Sequence, residues 1–118
     1  MTHASVGDMF VEHLFARVPE LAAVRDEHIR AVGEVFPHMI LPDVASFITA
    51  RSEDVHLVDA VLGFLEEAMA TQDEYIVELI GVSFLEGMDP SEASYDALTS
   101  RMGPHLRAEL ALSRGLWK

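Results

Sequence analysis

Six histidines stand among twenty Asp and Glu residues, so a metal site is the first chemistry to look for. Ligation from a helix needs side chains three or four positions apart, so that both reach one ion. Glu53-x-x-His56 has that spacing, once. A di-iron bundle needs a second such pair and two further glutamates, and neither a second E-x-x-H nor an H-E-x-x-H occurs. His56 is therefore expected at the surface beside Asp59, with no metal ligands assigned. Nucleophilic catalysis fares no better. Gly81-Val82-Ser83 lacks the second glycine of a nucleophile elbow, and no strand precedes it. On a helical wheel Ser83 falls among Ile76, Leu79 and Ile80, where its hydroxyl is expected to bond back to the Leu79 carbonyl. Neither G-x-G-x-x-G nor G-K-[ST] is present to cradle a phosphate. Paired carboxylates such as Glu66 with Glu67, or Glu74 with Glu78, could do acid–base work only if burial separated their pKa values. The wheel points them outward. No catalytic or cofactor-binding residue is assigned, and the chain reads as a non-enzyme.

Two further histidines have structural readings. His28 lies on an apolar face, as a hydrogen-bonded core histidine does. His38 and Asp43 flank Met39-Ile40-Leu41, with Pro37 and Pro42 close by. Either Asp43 caps the next helix while the three apolar residues plug the core, or the prolines hold a rigid recognition loop.

Composition narrows the class. The 118 residues are one domain's worth, half of them hydrophobic, with a mean hydropathy of +0.20, which excludes intrinsic disorder. With no cysteine there is no disulfide framework, thiol chemistry or cysteine-ligated metal. Uncharged stretches are too short and too broken by Pro or Gly to provide the ~20 residues of a membrane span. The opening MTHASVGD lacks a basic and then apolar leader, so a cytoplasmic location is expected. The formal charge of −12 repels phosphate, which argues against nucleic acid or an anionic membrane as partner.

The charge is unevenly spread. Between Arg51 and Arg101 stand twelve acids and no Lys or Arg, while the last stretch carries Arg101, Arg107, Arg114 and Lys118 against Glu109 alone. The block is either a set of solvated helix faces balanced by the basic end, or a face built to meet a cationic partner. On the second reading the candidate partner-binding residues are Asp59, Glu66, Glu67, Glu74 and Glu78.

The elements that must position these residues are all helical, since the apolar residues recur at helical spacing and no run alternates as a strand. Ser5 predicts a cap for a helix over about 6–17, with Val6, Met9, Phe10, Leu14 and Val18 inward. A second helix is predicted from Pro19 to Phe36, its inner face marked by Leu21, Val24, His28, Ala31, Val32 and Val35. A structured connector over 36–43 then leads to a short helix over about 43–51. Ser52 is read as the cap of a helix over about 53–70, whose apolar half runs from Val55 to Met69. Thr71-Gln72-Asp73 is too short for anything but an antiparallel hairpin, with Asp73 as cap. The partner helix, 74–87, is apolar nearly all round except for the stripe Glu74, Glu78 and Gly81, as befits a central helix. A short helix follows from Ser91 through Met102, and Gly103-Pro104 marks a stop and restart before a last helix over 104–114 and the tail Leu116-Trp117. The expected fold is a single all-α domain, 1–118, a bundle of five to seven helices around the 53–87 hairpin. HEAT-like helix pairs are the alternative, although no internal repeat demands them.

At FPHMILPDV (36–44), LIGVSFLEGM (79–88) and RMGPHLRAEL (101–110) the chain resembles an uncharacterised bacterial family of short all-helical proteins. The matching positions are Pro37, His38 and Asp43, then Ile80 to Glu86, then Met102, Gly103 and Pro104, with Met102 where the family tends to carry Leu. The resemblance brings no activity with it. In size, acidity and helicity the chain is also similar to immunity proteins that neutralise bacterial toxins, a likeness of class rather than motif. The leading expectation is an immunity- or antitoxin-like inhibitor that presents an acidic helical surface to a basic protein partner. The rival is a structural or regulatory protein that self-associates as a homodimer through apolar surface, and a small-ligand sensor is a third possibility.

Overall fold

The computed structural model describes the backbone of residues 3–115 and the side chains of residues 6–112. Among the described residues there are seven α-helices and no strand. The first, α1 (His3–Arg17), begins ahead of Ser5, which therefore lies inside the helix instead of capping it. It buries Phe10, Val11 and Leu14, whereas Met9, expected inward, is half exposed. A 3₁₀ turn at Pro19–Leu21 feeds α2 (Ala22–Val32). This helix stops short of the predicted Phe36 because Gly33 turns left-handed, at φ +90°, and donates its N–H to the Ile29 carbonyl. Val24 and His28 face the core, but Ala31 and Val32 lie outside it.

The connector predicted around Pro37 and Pro42 is instead the first half of a helix, α3 (Pro37–Thr49). Pro37 occupies its first turn, where a missing N–H costs nothing. Pro42 sits within it on the exposed side and removes one rung, the bond that position would give the His38 carbonyl. Four buried residues on the opposite face, Ile40, Leu41, Val44 and Ile48, hold the helix together across that gap. Met39 points out, and Asp43, lying mid-helix, caps nothing.

Helix α4 (Val55–Ala70) is capped by Asp54 rather than Ser52; the Asp54 carboxylate accepts from the Leu57 N–H at 3.1 Å. Its buried stripe is the expected one from Leu57 to Met69, with Val55 left exposed. The Thr71-Gln72-Asp73 turn closes the hairpin as predicted. The Asp73 carboxylate accepts from the N–H groups of Tyr75 and Ile76 at 3.0 and 3.1 Å. Asp73→Ala should therefore lower the unfolding free energy by about 1 kcal/mol, measurable by urea denaturation.

Beyond the turn, α5 (Glu74–Ile80) does not continue as a plain α-helix to 87. Residues Gly81–Leu85 widen into a π segment, where the Glu86 N–H reaches back five residues to the Gly81 carbonyl at 3.0 Å. This α5–π unit packs against α1, α3, α4 and α7, and so is the centre of the bundle. A turn held by the Asp89 carboxylate, which accepts from the N–H and hydroxyl of Ser91, leads to α6 (Ser94–Thr99). The restart at Pro104 is as predicted: α7 (Pro104–Gly115) buries Leu106 and Leu110. Leu116 and Trp117 lie outside the described residues. Among the described residues no helix is long and apolar enough to cross a membrane.

Candidate functional site

The five carboxylates singled out in the sequence have different environments. Glu66, on α4, caps α7 from across the bundle. Its two oxygens accept from the backbone N–H groups of His105 and Leu106, both at 2.9 Å, and one of them also contacts the His105 ring nitrogen at 2.6 Å. Burial alone would raise this carboxyl; the hydrogen bonds from Leu106 and His105 outweigh it and hold the group below the ordinary carboxylate range. The Glu66 side chain lies so close over Gly103 that a Cβ there would collide with Glu66 Cδ. A side chain at 103 would therefore push the Glu66 carboxylate away from its cap, although the φ of Gly103 is not in the left-handed region.

Asp59 takes both arms of Arg101, with Nε to Oδ1 at 2.6 Å and a terminal nitrogen to Oδ2 at 3.0 Å. Those charge-assisted bonds depress the aspartate and raise the arginine in turn. Glu67 reaches Arg17 of α1 at 3.0 Å. Three of the five candidates therefore tie α4 to α1, to α7 and to the start of α7's approach. Charge reversal at Glu66 would report stability before it reported binding.

Glu74 and Glu78 are different. One turn apart on α5, both exposed, they line an open groove of about 480 Å³ between α5, its π extension and α7. Glu86 and Glu109 line the same groove, and Val77, Val82 and Leu112 supply its apolar surface. Among the described residues none of these four glutamates has an ion-pair partner. The sequence reading missed Glu86 and Glu109. On an unbroken α-helix Glu86 would rotate away from Glu74 and Glu78; the π segment advances less per residue and so brings it back toward them. Glu109 arrives from another helix, and its only sequence signal was its place as the lone acid of the basic end.

Two further histidines, His28 and His38, form ties between helices. His28 is buried, and its Nε2 accepts the Phe36 N–H at 3.1 Å, which places the ring proton on Nδ1, 3.4 Å from Asp43 Oδ2. This is the expected core histidine, with Asp43 as its outer partner instead of a helix cap. His38 Nδ1 lies 2.6 Å from Ser83 Oγ, so the Ser83 hydroxyl is joined to α3 and not to the Leu79 carbonyl. Ser83 is nearly buried at the π segment, and the contact fastens that segment to the first turn of α3. Among the described residues no cluster of three or more His, Cys, Asp or Glu could hold a metal ion.

Fold and groove together define a small all-helical domain with an acidic groove along its central helix. The chain belongs to the DUF7674 family, a domain of unknown function, which matches residues 11–118. It matches no curated protein and no solved structure.

Proposed function

We propose that the protein is a non-enzymatic binding protein, an immunity- or antitoxin-like inhibitor that presents carboxylates to a basic protein partner. The observation that supports this is the division of the acidic block. Asp59, Glu66 and Glu67 are engaged by Arg101, the α7 amides and Arg17, while Glu74, Glu78, Glu86 and Glu109 gather round one groove. Like charges brought together on one surface repel each other, and a cationic partner removes that penalty while gaining steered association. Toxin domains that cleave nucleic acid carry cationic clefts, which suit such a surface.

The test is a pull-down from lysate of the source cell at low and moderate salt, with mass spectrometry of what is retained. A single basic protein held at low salt and shed as salt rises is expected. The double reversal Glu74→Lys with Glu78→Lys should weaken its binding by about tenfold or more. Retention unchanged by salt and by the reversal would remove the acidic-surface mechanism.

Self-association has one observation in its favour. Val32, Phe36 and Met39 are exposed at or near a groove of about 670 Å³ between α2 and α3. Sedimentation decides: a salt-insensitive dimer supports this reading, and a monomer removes it.

A further inference from the structure

Two of the large apolar side chains left exposed by this fold, Val82 at 49% and Leu112 at 65%, lie in the same groove as Glu74, Glu78, Glu86 and Glu109. Val82 stands one helical turn beyond Glu78 and so continues the face of Glu74 and Glu78, while its neighbours Gly81, Ser83, Phe84 and Leu85 are all buried. The groove is thus an apolar strip with a carboxylate rim. We infer that it seats a cationic amphipathic helix of the partner, apolar side down on Val82 and Leu112, with Lys or Arg on its flanks meeting Glu74, Glu78, Glu86 and Glu109. The inference rests on the basic-partner reading above and gives it a binding mode.

Charge complementarity selects the sign of the occupant, and the backbone selects its conformation. Extended segments are bound at a sheet edge or, as polyproline II, in an aromatic-lined groove; the described residues contain no strand, and this groove has no aromatic lining. A helix satisfies its own N–H and C=O groups. Glu74 and Glu78 stand one helical turn apart, which is also the spacing of basic residues at i and i+4 on a docked helix. The exposed apolar surface separates this occupant from a polyamine, whose slender stem would leave most of Val82 and Leu112 in water.

The test titrates the full chain with a labelled peptide of about 18 residues, some five helical turns, with an Ala and Leu face flanked by Lys at i and i+4. A scrambled peptide of the same composition and spermine are the comparisons. Fluorescence anisotropy should show the amphipathic peptide binding at least about tenfold tighter than the scrambled one. Val82→Ser with Leu112→Ser should lose about tenfold while keeping the salt dependence. Glu74→Gln with Glu78→Gln should lose affinity and flatten that dependence. Because all four side chains are exposed, unchanged circular dichroism melts are expected for both variants. Equal binding of the scrambled peptide, effective competition by spermine, or no effect of the serine pair would overturn the helix-docking mode. If a basic partner retained from lysate binds the serine variant as well as wild type, the groove assignment fails and the inhibitor reading stands. If no basic protein is retained and no peptide binds, both fail.

Discussion

Replacing Glu66 by alanine should lower the unfolding free energy by about 2–4 kcal/mol, because one side chain serves several donors of another helix. The N–H groups of His105 and Leu106 are among the orphan donors that open every helix, and α7 meets them with a carboxylate from α4. Removing the carboxylate leaves the Leu106 amide part-buried without its acceptor and takes away the favourable charge at the helix N-terminus. The effect carries its own pH signature. Glu66 is held below the ordinary 4.5 in the folded state, so its contribution is full above that value and is lost as pH falls through the folded pKa. The stability difference between wild type and Glu66→Gln, followed by urea unfolding, should therefore be constant near neutrality and shrink in acid. A difference that stays flat down to pH 3 would deny Glu66 its capping role.

Phe84→Ala should cost about 3–5 kcal/mol, whereas Val82→Ala, two positions away, should stay within about 0.5 kcal/mol. Phe84 heads the largest fully buried side chains and lies in the π segment at the centre of the bundle. Its removal would leave a cavity walled by α5 and its neighbours, which cannot collapse without breaking their contacts. Val82 projects into the groove and loses little. Thermal melts of the two variants measure the contrast directly, and comparable losses at both positions would mean that the helix winds through Gly81–Leu85 in a different register.

Much of the bundle was legible from local chemistry. Asp73 declared both the turn and its cap, the wheel of α4 separated Leu57, Val61 and Leu65 from His56 and Glu67, and Gly103-Pro104 announced α7. His28 was placed correctly because an imidazole on an apolar face needs partners, and it has them in Phe36 and Asp43. The misses have physical causes. Proline is read as a breaker, yet one lost rung at Pro42 is outweighed by four buried neighbours on the far face of α3. A π segment adds one residue per turn without any marker in composition, so a 3.6-residue wheel left Glu86 off the acidic stripe. The candidate site suffered most, because whether a carboxylate finds a partner depends on which distant segment reaches it. Asp59, Glu66 and Glu67 look alike in sequence to Glu74 and Glu78; Arg101, the α7 amides and Arg17 set them apart.

The cap that Glu66 lends to α7 also bears on the order in which the fold assembles during synthesis. The α4–α5 hairpin closes through three residues and needs only neighbouring chain, so we expect it to form early. Helix α7 emerges later, and its first turn lacks acceptors until it meets a carboxylate 39 residues behind it. A nascent chain arrested before Pro104 should accordingly hold a folded hairpin with Glu66 free in solvent, and the arrival of α7 would then fasten onto a scaffold already in place.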